Sequence, residues 1–134
     1  MPPSSRRPGR TTPRPRDICR WSGISPTPWR LIDGQKDLFG DGRITLIPLP
    51  GHTPGLTGAL VTLDRDGAFL LASDAVSLKA SLETDVVPKN TWSVDLHHRS
   101  IAEIRKIEAA GATVLCGHDD AQWQTLRTGA HAYV

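Results

Sequence analysis

No histidine stands before position 52 in this chain of 134 residues; the five are His52, His97, His98, His118 and His131. The imidazoles among these residues therefore lie at position 52 and beyond. The two cysteines, Cys19 and Cys116, are too few for a disulfide framework, and there is no C-x-x-C. A reducing cytoplasm is the expected compartment. No apolar run approaches the roughly 18 residues that a membrane span needs. Arg6-Arg7 is not followed by the apolar segment of an export signal. There is also no G-x-S-x-G elbow and no phosphate-cradling glycine loop, so serine-nucleophile and P-loop chemistry have no support.

What is present divides unevenly. Residues 1–28 hold six arginines against Asp17 alone, a net charge of +5, and prolines at 2, 3, 8, 13, 15, 26 and 28. Prolines at that density deny both helix and central strand, so this segment reads as a disordered basic tail. It lacks the interleaved aromatics of a nucleic-acid arm. The remaining residues, ten basic and thirteen acidic, sum to −3. Residues 29–134 are long enough for one modest core.

Along that part, Trp29–Ile32 followed by Asp33-Gly34 predicts a short strand and turn, and Asp37–Phe39 with Gly40-Asp41-Gly42 repeats the pattern. Residues 43–49 form an apolar strand. Thr57–Leu63 alternates as a strand, Asp64–Gly67 is a hairpin turn, and Ala68–Ala72 is apolar throughout, as in a strand buried on both faces. Residues 75–93 show no regular pattern. Ser93 or Asp95 caps a helix running to Ala110, with Ile101, Ile104 and Ile107 inward and Gly111 as its stop. Ala112–Cys116 is a further buried strand, and Asp119 or Asp120 opens a last helix with Trp123 and Leu126. The class is α/β, a mixed sheet with covering helices.

Three residues stand just past predicted strand ends: His52 within Gly51-His52-Thr53-Pro54-Gly55, Asp74 after Ala72-Ser73, and His118 after Cys116-Gly117. Loops at strand ends are where ligands gather. Imidazole nitrogen and carboxylate oxygen suit zinc or another first-row divalent ion. Singly, each has a plainer reading, as surface histidine, turn aspartate or helix start; together they make a candidate metal set. His97-His98 reads as exposed helix surface, and Cys116 as a buried strand-end thiol.

Gly-His-Thr-Pro-Gly, then Leu70-Leu71-Ala72-Ser73-Asp74, then Val114-Leu115-Cys116-Gly117-His118-Asp119 resembles the second half of a metallo-β-lactamase-fold hydrolase. Trp29–Gly42, Asn90-Thr91-Trp92 and Gly117-His118-Asp119 with Gln122-Trp123 are similar to the N-acyl homoserine lactonase-like branch. The resemblance covers about residues 29–134 and implies the C-terminal half of an αββα sandwich. It implies two zinc ions in the complete site. His52 would bind the first, Asp74 would bridge both as the catalytic carboxylate, and His118 would bind the second. A metal-held hydroxide would then attack a small-molecule ester, lactone or amide.

The family's H-x-H-x-D-H motif has no counterpart here, and Ser77 stands where lactonases of this branch often carry a tyrosine. Two readings stay open: a truncated, impaired hydrolase, or an inactive remnant or interaction module of the same fold. Half a sandwich leaves one sheet face uncovered, which implies marginal stability or self-association through that face.

Overall fold

The computed structural model describes residues 30–129 and 131–134. The expected tail at 1–28 lies outside the described residues. The elements, in order, are β1 (Lys36–Asp37), β2 (Ile44–Pro48), β3 (Thr57–Leu63), β4 (Gly67–Ser73), α1 (Lys79–Thr84), α2 (Val94–Ala109), β5 (Thr113–Cys116) and α3 (Asp120–Trp123). The five strands form one sheet in the order β1-β2-β3-β4-β5. The first four run antiparallel to their neighbours, and β5 lies parallel to β4. A parallel return needs a crossover, and α1 and α2 supply it.

The register explains which side chains meet. Leu60 opposes Leu70, and Leu70 opposes Val114. These residues, with Ile47, Leu49 and Ala72, face the helices and pack with Val76, Leu82, Ile101 and Ile104. One position along, Leu46, Ala59, Leu71 and Leu115 align on the opposite face.

Ser93 caps α2, its hydroxyl accepting the Leu96 N–H at 3.4 Å. Ile101 and Ile104 are buried and Ile107 is partly buried, as the 3.6-residue spacing predicts. The helix ends at Ala110-Gly111, with Gly111 at φ +102°.

Four expectations are corrected. Residues 30–33 form no strand; the short edge strand is Lys36–Asp37. The following turn is tied by the Asp37 carboxylate, which accepts the N–H groups of Phe39, Gly40 and Gly42. Residues 75–93 contain the helix α1, which has no cap from its own neighbours. Strand β4 is not buried on both faces: Leu70 is 0 % exposed but Leu71 is 43 % exposed. The last helix is a single turn, and Leu126 lies beyond it. Among the described residues, no helix is long and apolar enough to cross a membrane.

Candidate metal centre

The chain reverses direction at the end of β4 through Ser73, a non-glycine residue at φ +51°. Asp74 comes next, and the main chain then runs beside the end of β5. Gly117 N–H donates to Val76 O and His118 N–H to Ser77 O, both at 2.9 Å. This short zipper brings together two side chains 44 residues apart: His118 Nε2 lies 2.9 Å from Asp74 Oδ1. A Cβ on Gly117 would come within 2.7 Å of Ser73 O, so the close approach requires glycine there. Both side chains remain open to solvent, at 69 % for His118 and 43 % for Asp74.

His52 sits half-buried in the loop after β2. Its carbonyl accepts the Trp92 N–H at 3.2 Å, and the Gly51 carbonyl accepts the Ser93 N–H at 3.0 Å. The loop is therefore fastened to the start of α2. Gly51 also presses on that helix, since a Cβ there would fall 2.5 Å from His97 Cα. His97 is buried at 3 % exposure rather than lying on the surface, whereas His98 is exposed as expected. Burial, then the neighbouring His98 and His52 rings, holds the His97 pKa below its ordinary imidazole value.

Asp119 lies half-buried behind His118. One carboxylate oxygen accepts the Gln122 N–H at 2.9 Å, capping α3; the other accepts the Lys79 N–H at 2.8 Å, capping α1. These donors, Lys79 first, hold its pKa below the usual carboxylate range. Gln122 turns its carboxamide onto the outer edge of β5, accepting from Cys116 N–H at 2.8 Å and donating to Val114 O at 2.7 Å. It occupies bonding positions that a neighbouring strand would use, and among the described residues no strand lies there. The Cys116 thiol is half-buried, and burial pushes its pKa up, away from thiolate character.

Of the three expected ligands, the structure brings Asp74 and His118 into contact. His52 does not complete a cluster with them: no group of three or more His, Cys, Asp or Glu side chains close enough to hold a metal forms among the described residues. The Asp74–His118 pair fits a divalent ion in donor type and exposure, but it provides fewer donors than the three or four protein ligands of a zinc site.

No protein-family profile matches the chain. Curated relatives do. The N-acyl homoserine lactonase AttM of Rhizobium johnstonii is 34 % identical over 110 residues, which cover 78 % of this chain and 42 % of the relative. AiiB of Agrobacterium fabrum is 31 % identical over 119 residues, covering 83 % and 41 %. A solved N-acyl homoserine lactone hydrolase, with N-hexanoyl-L-homoserine bound at its catalytic metal centre, superposes with a TM-score of 0.68 at 24 % identity, over 78 % of this chain and 41 % of that one. The chain is a homologue of part of the N-acyl homoserine lactonases and has the corresponding part of their metallo-β-lactamase fold. It spans about two fifths of the length of the relatives it matches.

Reasoning from sequence missed two features of this lactonase homologue. The Asp119 bridge to Lys79 joins residues 40 apart, with no local signal at the Lys79 end. The burial of His97 goes with the close approach of Gly51, 46 residues away in the sequence, which the helix surface pattern around His97 does not signal.

Proposed function

We propose that Asp74 and His118 form part of the metal-binding edge of a hydrolase acting on a small-molecule ester or lactone. The observation that carries this reading is the 2.9 Å approach of Asp74 Oδ1 and His118 Nε2 at the ends of parallel neighbouring strands. Homology to N-acyl homoserine lactonases supports the substrate class. In this reading Asp74 would be the bridging carboxylate and His118 an imidazole ligand; His52, outside the Asp74–His118 contact, would be an imidazole ligand of the complete site. A bound zinc pair would supply an activated water and a Lewis acid for the carbonyl. Asp74 and His118 would hold and orient their ion at the sheet edge, and Ser77 is too short to reach a carbonyl as a tyrosine would.

The test is calorimetric titration of the full chain with Zn2+, alongside lactone turnover. The expected result is zinc binding weakened at least tenfold by Asp74→Ala or His118→Ala. Unchanged affinity in both variants would sink the reading.

The second reading is an inactive module of the same fold. Its support is the incomplete donor set among the described residues and an apolar groove of about 590 Å³ on the sheet face that no described helix covers, with Leu46, Pro48, Ala59 and Leu71 among its walls. An open apolar face favours self-association. Sedimentation across a concentration series should show a dimer that Leu71→Glu dissociates. A parent chain that stays monomeric throughout would remove this second reading's partner surface.

A further inference from the structure

We infer that Asp119 is a positioning residue that sets the distance between Asp74 and His118. The inference rests on the metal-edge reading for its meaning, but its geometry stands without it.

Asp74 and His118 belong to two separate segments, and each leaves its strand through a loop. The two loops run side by side through Gly117 N–H to Val76 O and His118 N–H to Ser77 O. Neither bond restrains the chain beyond Ser77 or His118. There Asp119 closes the zipper with its side chain, taking the Lys79 N–H on one oxygen and the Gln122 N–H on the other. The carboxylate thus caps two helices, α1 in the segment that follows Asp74 and α3 in the segment that follows His118. α1 is the helix whose own N-cap, Leu78, offers no side-chain acceptor. Each bond is charge-assisted, of the stronger class. Gln122, held in turn through its carboxamide to Val114 and Cys116, anchors the far side to β5. Displacing Asp119 would free the 74–79 loop to move relative to His118, although the Asp119 carboxylate spends its hydrogen bonds on Lys79 and Gln122 and not on the pair itself.

The brace can be cut from either end. Asp119→Ala removes both bonds. Lys79→Pro removes only the Lys79 donor and leaves the α3 cap. Lys79 is the first helical residue, where proline is tolerated, and Leu78 before it is already extended at φ −129°, ψ 145°, as a pre-proline residue must be. Lys79→Pro also loses the half-exposed ion pair with Glu108, so Glu108→Ala, which loses that pair and keeps the N–H, is the matched control.

Two readouts on the full chain decide the matter. In metal-free protein, nitrogen NMR of the His118 ring reports its hydrogen bond to Asp74, and amide exchange reports the His118 N–H to Ser77 bond. With metal, calorimetry reports zinc affinity. Lys79→Pro and Asp119→Ala are expected to shift the His118 ring signals, to raise its amide exchange at least tenfold, and to weaken zinc about tenfold. Glu108→Ala is expected to match the parent. If Lys79→Pro folds with parental His118 signals and exchange, the inference is overturned, whatever the zinc result. If the parent binds no zinc but the His118 signals move as stated, the positioning role stands and the metal reading falls. Should Asp119→Ala fail to fold, Lys79→Pro alone carries the decision.

Discussion

The two faces of the sheet differ in what covers them. On one, Leu70, Ala72 and Val114 are sealed by Ile101 and Ile104 of α2, and each of these five is 3 % exposed or less. On the other, Leu46, Ala59 and Leu71 floor an open groove. Two residues before Leu71 on the same face of β4, Phe69 is covered, the Tyr133 ring meeting it edge-on at a centroid distance of 4.9 Å. Strand β4 carries large apolar side chains on both sides, Leu70 on one and Leu71 on the other, and the covering helix decides which of these two is buried.

The largest expected effect tests that difference directly. Ile104→Ala empties a fully buried site and should cost about 3 kcal/mol, within the usual range of roughly 2–5 for such truncations. Leu71→Ala, one residue from Leu70 but on the open face, should cost about 1 kcal/mol or less. Urea denaturation of the two variants measures the gap. Equal losses would mean that the open face is covered in solution.

An intermediate effect lies at the strand ends. Gly117→Ala would place a methyl group 2.7 Å from Ser73 O, a clash with backbone that cannot swing aside. Overpacking of this kind costs about 1–3 kcal/mol. It should also part the Asp74–His118 pair, since the β4–β5 ends must separate to admit the methyl. A melting curve and the His118 ring NMR signals read the two consequences together. A stable variant with parental ring signals would mean that the close approach is not needed to align the pair.

How much of this was legible depended on how local each cause is. Strand β3 was readable at Thr57–Leu63 because alternation and the Asp64–Gly67 turn are carried by the segment itself. Helix α2 was readable for the same reason, with Ser93 as its cap and Ile101 and Ile104 inward. Helix α1 was not, because its cap is the carboxylate of Asp119, 40 residues away. The exposure of Leu71 was misjudged because an unbroken apolar run looks the same whether one face or both are covered. At the candidate site, strand-end position marked Asp74 and His118, and the structure unites them. Which ligand-type residues share one cluster depends on the loops between strands, and the sequence carries no length scale for those.

The smallest effect sharpens the comparison at Phe69, the covered residue of the open face. The last residues are clasped to the β3–β4 turn. Val134 O accepts the Arg65 and Asp66 N–H groups at 2.8 and 2.9 Å, and the Asp66 carboxylate accepts the Val134 N–H at 2.7 Å. Asp66 also pairs with Arg127, whose guanidinium lies 4.1 Å from the centre of the Tyr133 ring. The Val134 N–H first, then Arg127, holds the Asp66 pKa below the usual carboxylate range. A carboxylate with a lowered folded pKa binds fewer protons folded than unfolded, so its contribution is complete above the unfolded value, about 4, and fades as pH falls through the folded one. The Tyr133–Phe69 contact should therefore loosen only below about pH 4. Asp66→Asn should leave it partly loosened at neutral pH and flatten the acid response. Ring-current shifts of Phe69, followed by NMR from neutral to acid pH, measure this. A contact that weakens equally with acid in the parent and in Asp66→Asn would place the titrating group elsewhere and leave Tyr133 held by packing on Phe69 alone.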